Sequence, residues 1–286
     1  MHPSASRPSL LLSVLALLGS MAALCIGSSF AKHLFPMIGA AGTTAWRLTG
    51  SALLLALLWR PWRHWPARAE LGRVLQYGAA LGVMNLSFYL ALRSLPLGVC
   101  VAIELTGPLA VALLSARRAG HFVWVLLAAL GIVLLLNPFA HGARLDPVGV
   151  GFAVLAAVFW ALYILAGKRV SHLHAGLSVS LGMLTAAVLV VPFGAWSAGP
   201  QWFSLSVALW GLGVALLSSA LPYSLEMIAL RGLTTRAFGT LVSLEPAIGA
   251  LAGFVILGER LTGLQWLAIA AVMAACAGTV GAAARE

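Results

Sequence analysis

Charged residues are scarce in this chain. Asp, Glu, Lys and Arg make up 8% of its 286 residues, whereas an average soluble domain carries about 25%. Acidic residues are the rarest, with 7 Asp and Glu beside 17 Lys and Arg. Hydrophobic residues reach 62% and the mean hydropathy is +1.02, so the chain cannot cover itself with a polar surface. An ordinary soluble domain is excluded, and an integral membrane protein is predicted.

Several catalytic signatures are also missing. The sequence has no HExxH motif, no phosphate-binding loop and no pair of intramembrane aspartates, which excludes a metalloprotease, an ATP-driven pump and an aspartyl intramembrane protease. The pair His172 and His174 is too sparse for a metal site. We therefore expect no enzyme, no metal and no cofactor. No repeated filter sequence favours an ion channel, although a passive channel or facilitator remains an alternative.

Cysteine and clustered basic residues are likewise few. The 3 cysteines each lie inside a separate apolar run, so no disulfide framework is predicted. The net charge of +10 is dispersed between apolar segments and forms no basic domain. Nucleic acid is therefore not an expected partner. The basic residues are better interpreted as markers of membrane topology, with the lipid bilayer as the partner.

Apolar segments long enough to cross a bilayer follow one another along the whole chain. A transmembrane helix needs about 20 predominantly apolar residues. The first segment follows Arg7 as a signal peptide would, but it is long enough to span and is interpreted as an uncleaved helix. We predict an all-α integral membrane protein with ten transmembrane helices, at approximately 9–31, 41–59, 74–92, 97–115, 121–139, 148–166, 176–196, 205–228, 237–257 and 263–283.

The chain partly repeats itself with a shift of 138 residues. Ala91-Leu92-Arg93 aligns with Ala229-Leu230-Arg231, and Pro108 with Pro246. The shift divides the chain into two repeats of five spans, at 9–139 and 148–284. Because five is odd, the two repeats are predicted to have opposite orientations around a central cavity near the bilayer midplane. Intramembrane acids and prolines in such repeats are typical of a transporter.

The basic residues predict the orientation. With the N-terminus inside, the cytoplasmic segments hold roughly three times as many Lys and Arg as the opposite face. Both termini are therefore expected in the cytoplasm.

Two stretches carry a family resemblance. They read MNLSFYLALRSLPLGVCVAIELTGPLAVALLSARR at 84–118 and SSALPYSLEMIALRGLTTRAFGTLVSLEPAIGALAG at 218–253. They resemble the two EamA repeats of the drug/metabolite transporter superfamily, as does VILGERLT at 255–262. The combination of IELTGPLAVAL with ALPYSLEMIAL is most similar to the branch of bacterial inner-membrane threonine/homoserine exporters.

The resemblance implies a ten-helix exporter of small amino acids by alternating access, energised by the proton gradient rather than by a cofactor. Relatives in the same superfamily carry other small metabolites or drugs, and such a cargo remains an alternative.

Three glutamates are the main candidates for substrate or proton binding. Glu104 and Glu245 lie well inside spans four and nine, and Glu226 lies nearer the cytoplasmic end of span eight. An ionisable residue at a helix centre costs about 2.5–3.5 kcal/mol, so function is the default interpretation. Each could bind a proton or the substrate ammonium group, one excluding the other. The alternative for each is a protonated packing residue.

Two prolines accompany these acids. Pro108 removes the hydrogen bond to the carbonyl of Glu104, and Pro246 removes the one to Val242. The freed carbonyls should face a polar cavity, and both prolines are predicted helix kinks. A simple kink beside an incidental acid is the alternative.

Cations and polar side chains complete the predicted cavity. Lys32 and Arg47 are candidates to meet a substrate carboxylate, although a long side chain can also reach the interface. Stretches with small residues four apart favour close packing within a monomer, with a homodimer possible. The remaining polar or aromatic candidates inside spans are Asn85, Tyr89, Trp160, Tyr163, Ser219 and Tyr223.

Overall fold

The computed structural model describes residues 8–31, 34–63, 65–95, 97–116, 119–136, 145–248 and 262–283. These residues form α-helices joined by short turns, and no strand occurs among them. The helices are α1 (Leu10–Ala31), α2 (Phe35–Trp59), α3 (Arg68–Ala91), α4 (Leu97–Glu104), α5 (Thr106–Leu114), α6 (Ala119–Leu136), α7 (Pro147–Val170), α8 (Ala175–Ala198), α9 (Leu205–Ala215), α10 (Leu221–Gly232), α11 (Thr235–Leu241), α12 (helical residues 245–248) and α13 (Gly263–Ala283).

The predicted all-helical membrane architecture is confirmed in its coarse form. By length and composition, four helical segments of the described ranges could cross a membrane. Shorter apolar helices lie at Leu10–Leu24, Val99–Leu114, Gly120–Leu134 and Gly263–Thr279. The four long segments are Arg68–Ala91, Pro147–Val170, Ala175–Phe203 and Leu205–Gly232.

The outer surface is apolar, as a surface in contact with lipid should be. Leu57, Leu126, Trp196 and Leu209 are all exposed, and such side chains would be unfavourable in contiguous contact with water. The interior is apolar as well, since one large cluster of buried hydrophobic side chains connects most of the helices. The polar exceptions inside this bundle are therefore informative.

Local sequence explains several helix ends. Asp146 caps α7, because its carboxylate accepts from the N–H groups of Val148 and Gly149 at 3.3 and 3.0 Å. Hydrogen bonds from the Ser94 side chain and the Gly149 N–H hold the pKa of Asp146 below its usual value.

Two predicted spans begin earlier than expected, at Phe35 and Arg68 instead of 41 and 74. Hydropathy marks the apolar part of a helix, and a helix can extend beyond it.

Many helices of the first half of the chain pack on helices of the second half. Helix α2 packs on α8, α5 on α11 and α6 on α13. Helix α3 packs on α7 as α10 packs on α1. Helices α2 and α8 approach closely, because a Cβ on Gly194 would collide with Ala45. This arrangement surrounds a cavity at the centre of the bundle.

Candidate functional site

A cavity of about 140 Å³ lies between the helices. Its wall combines one guanidinium, three carboxyl groups, an amide and two phenols with apolar side chains. Residues from both halves of the chain contribute. The lining residues are Leu24, Arg47, Met84, Asn85, Phe88, Tyr89, Val101, Glu104, Leu105, Trp160, Tyr223, Glu226 and Glu245.

Arg47 is the cation of this cavity. It lies on α2 after a kink at Gly39, whose φ of +66° is readily adopted by glycine. The side chain is only 5% exposed. Its Nη1 donates to the Tyr89 hydroxyl at 2.6 Å and its Nε to Ser219 Oγ at 3.1 Å. Its Nη2 donates to Asn85 Oδ1 at 3.4 Å and to the Ser218 carbonyl at 3.3 Å. All four acceptors are neutral, and no ion pair with a described carboxylate accompanies them.

Asn85 and Tyr223 connect the two halves directly. Asn85 Nδ2 lies 3.1 Å from the Tyr223 hydroxyl, although the two residues are 138 positions apart. That separation equals the shift by which the sequence repeats. The contact therefore joins two positions that the repeat alignment makes equivalent.

Glu226 is held by hydroxyl groups from two other helices. Tyr163 on α7 donates to Glu226 Oε2 at 2.8 Å, and Ser20 on α1 donates to Oε1 at 3.2 Å. The residue is 7% exposed. The Tyr163 ring stacks on Tyr77, with centroids 5.1 Å apart. Glu226 lies in the middle of α10 and in the cavity wall.

Glu104 and Glu245 differ from Glu226, because no described residue donates a hydrogen bond to their carboxylates. Both line the cavity and are partly exposed to it. Within the described part of the chain, neither carboxylate makes a hydrogen bond or an ion pair. Their oxygens are therefore available to a cationic ligand or a proton.

Both acids lie at interruptions in their helices. Helix α4 ends at Glu104 and α5 begins at Thr106, with Pro108 in the first turn of the new helix. In the second half, a 3₁₀ turn at Val242–Leu244 separates α11 from the helical residues that begin at Glu245. Each interruption falls where a proline two to four residues later removes a backbone donor.

A third interruption was missed at the level of sequence. Leu216–Ala220 form a π-helical turn between α9 and α10, and Pro222 follows it. Pro222 cannot donate to the Ser218 carbonyl, four residues earlier. The signal was present as two serines followed by a proline in an apolar run.

Comparison with known proteins identifies the family. A model of the EamA-like transporter family matches residues 147–281. A threonine/homoserine exporter, RhtA, of Salmonella typhimurium is 47% identical over 275 residues, 96% of this chain and 93% of that protein. The exporter of the same name from Escherichia coli is 48% identical over 268 residues, 94% and 91% of the two chains. The chain belongs to the EamA-like transporter family.

The fold of this EamA-like transporter also matches a solved structure. A crystal structure with 18% sequence identity superposes with a TM-score of 0.75, covering 96% of this chain and 98% of the other. At that identity the likeness concerns the fold alone.

The remaining candidates of the transporter have different positions. Trp160 lines the cavity. Tyr163 and Ser219 lie behind the cavity wall, where Tyr163 donates to Glu226 and Ser219 accepts from Arg47. Lys168 Nζ donates to the carbonyls of Leu230 and Leu233 near the end of α10. Lys32 lies outside the described residues. No group of three His, Cys, Asp or Glu suited to a metal ion occurs in the described ranges.

Proposed function

We propose that the protein exports small neutral amino acids, threonine and homoserine first among them, across the bacterial inner membrane. The observation that carries the proposal is the cavity itself. It presents a guanidinium with no carboxylate partner among the described residues, together with two free carboxylates, inside an apolar bundle. A zwitterion of small size offers the complementary charges. The names of the relatives from Salmonella typhimurium and Escherichia coli support the same cargo.

The proposed architecture is ten transmembrane helices in two inverted repeats of five. The paired contacts of α2 with α8, α5 with α11 and α6 with α13 support it, as does the contact of Asn85 with Tyr223. Inverted repeats bind cargo at their interface and expose it alternately to either side. The charge bias favours cytoplasmic termini, and a monomer contains the whole cavity.

Proton coupling is the proposed source of energy. A carboxylate among Glu104, Glu245 and Glu226 binds either a proton or the substrate ammonium group. This exclusion couples outward movement of the amino acid to inward movement of protons. A single charge moving through 100 mV supplies about 2.3 kcal/mol, which sustains a roughly fifty-fold concentration ratio. No covalent chemistry is required of the cavity.

The test is efflux of labelled threonine and homoserine from proteoliposomes under an imposed pH gradient. Glu104→Gln and Glu245→Gln keep the size of the side chain and remove its charge. Glu70→Gln is the matched control, because Glu70 lies at the start of α3 and pairs with Arg73 at 2.8 Å. We expect gradient-driven flux in the wild type and the control, and its loss in at least one cavity variant.

Three outcomes contradict parts of this proposal. Flux that an uncoupler leaves intact, with no accumulation against a gradient, indicates a passive facilitator. Full gradient-driven flux in both cavity variants makes Glu104 and Glu245 structural. Absence of threonine and homoserine flux in the wild type indicates another small metabolite or a drug as the cargo.

A further inference from the structure

The guanidinium of Arg47 connects helix α3 with the interrupted segment between α9 and α10. On one side it contacts Asn85 and Tyr89 of the continuous helix α3. On the other it contacts Ser218 and Ser219, in the π-helical turn between α9 and α10. A single side chain of α2 therefore holds the interrupted segment beside α3.

The contact with Ser218 replaces a missing backbone bond. In a regular α-helix the Ser218 carbonyl would accept from residue 222, which is Pro222 and has no N–H. The turn before Pro222 is π-helical, since the Leu221 N–H bonds to the Leu216 carbonyl, five residues back. Arg47 Nη2 lies 3.3 Å from the Ser218 oxygen and supplies the donor. One turn along α2, Ser51 donates to the Ala215 carbonyl at 2.8 Å.

The bonds of Arg47 differ in strength. Those to Tyr89 at 2.6 Å and Ser219 at 3.1 Å are short, whereas both Nη2 bonds, to Asn85 and Ser218, are at least 3.3 Å long. All are made to neutral oxygens. A carboxylate is a stronger acceptor for a guanidinium than a neutral oxygen is, because both partners are charged and the pair can form two parallel hydrogen bonds. A carboxylate entering the cavity would compete best for Nη2.

Resting on the proposed function, we propose that Arg47 Nη2 binds the α-carboxylate of the amino acid and in doing so releases Ser218. Arg47 then recognises the cargo, and its contact with Ser218 holds the α9–α10 interruption beside α3 until the cargo binds. The ammonium group of the same ligand lies toward Glu104 and Glu245, whose carboxylates have no partner within the described ranges. An amino alcohol of the same shape has no carboxylate, so it should leave the contact between Arg47 and Ser218 intact.

The first test compares ligands on the full-length protein in lipid nanodiscs. Binding of L-threonine is measured beside threoninol, in which a hydroxymethyl group replaces the carboxylate. We expect threoninol to bind about tenfold to a hundredfold more weakly, the range for losing one charged hydrogen-bonded contact. Equal binding of the two ligands by the unmodified protein overturns the inference.

The second test removes the guanidinium. In Arg47→Gln, threonine affinity should fall to that of threoninol, so that the discrimination between the two disappears. Arg73→Gln is the matched control, since Arg73 pairs with Glu70 outside the cavity, and it should retain full discrimination. Discrimination that survives in Arg47→Gln overturns the inference. Because that variant can fail to fold, the ligand comparison on the unmodified protein stands as an independent arm.

The third test measures whether the contact between Arg47 and Ser218 is released. Hydrogen–deuterium exchange of peptides covering 214–222 should rise by about tenfold or more when threonine binds, and remain unchanged with threoninol. Unchanged exchange with both ligands overturns the release. A wild type that neither binds nor transports threonine or homoserine overturns the proposed function and this inference together. Threonine transport without Arg47-dependent discrimination overturns the inference alone.

Discussion

Helix α3 and the segment Leu205–Gly232 are aligned by the 138-residue shift, yet only one of them is continuous. Helix α3 runs unbroken from Arg68 to Ala91, whereas its counterpart contains a π-helical turn at Leu216–Ala220. The aligned residues explain the difference, because Met84 occupies in α3 the position of Pro222. Two segments that are aligned in sequence thus differ in the continuity of their helices.

The same pair of segments also differs in chemistry. Asn85 and Tyr223 are aligned and contact each other across the centre. One turn later, Phe88 is aligned with Glu226, and both line the cavity. At this pair of aligned positions only the second half has an acid. Single differences between aligned positions therefore decide where the carboxylate and the helix interruption lie.

The largest expected effect comes from placing a proline in the continuous helix. Met84→Pro removes the hydrogen bond to the Ala80 carbonyl and should lower the free energy of unfolding by about 3 kcal/mol or more. The π-helical turn and Arg47 cannot compensate in α3. Thermal unfolding in detergent measures the change, with Met84→Leu as the control, expected to cost less than about 1.5 kcal/mol. Equal stability of the two variants would show that α3 need not be continuous.

A smaller loss is expected where α3 approaches α8. A Cβ on Gly78 would collide with the backbone carbonyl of Gly182 and lie 2.6 Å from the Thr185 Cβ. Gly78→Ala should therefore cost about 1–3 kcal/mol of unfolding free energy. Gly72→Ala in the same helix, and Gly213→Ala in α9, meet nothing within 4 Å. These controls should be neutral or slightly stabilising in the same thermal assay, and a loss in them equal to that in Gly78→Ala contradicts the packing argument.

Closing the interruption should affect transport more than stability. Pro222→Ala restores a backbone donor for the Ser218 carbonyl, so Arg47 is no longer needed there. We expect unchanged or higher thermal stability, and about tenfold slower threonine efflux, equivalent to about 1.4 kcal/mol in the barrier. Pro192→Ala, a change within α8, is the matched control for loss of a helix proline. Wild-type efflux in Pro222→Ala would show that the interruption does not contribute to movement.

The smallest expected effect concerns the starts of the two segments. Ser204 caps α9 by accepting from the Val207 N–H at 3.3 Å, whereas the residue before α3 is Ala67, which has no side-chain acceptor. Ser204→Ala should lower the free energy of unfolding by about 1 kcal/mol. Ala67→Ser should raise it by at most the same amount, because the backbone at Ala67 is similarly extended. Opposite shifts in unfolding temperature are the measurement, and shifts of equal sign contradict the comparison.

Much of the architecture follows from local features of the chain. Runs of apolar residues predict the membrane and most of the helices, and the scarcity of acids draws attention to Glu104, Glu226 and Glu245. The repeat alignment also draws attention to Pro108 and Pro246, beside which the helices are interrupted. These inferences succeed because hydropathy, spacing and the missing donor of proline depend only on near neighbours in sequence.

The tertiary structure alone decided what each polar group does. Arg47 contacts Tyr89 from 42 positions away, and Glu226 accepts from Ser20 across 206 positions. Sequence could not separate Glu104 and Glu245, which have no hydrogen-bond partner among the described residues, from the hydrogen-bonded Glu226. It also could not identify the Ser218 carbonyl, which Pro222 leaves without a helix donor, as a partner of Arg47. By itself the sequence determined an all-helical membrane protein with buried acids. The packing of distant helices decided which of those groups face the cavity, because hydrogen-bond partners are selected by distance in space and not along the chain.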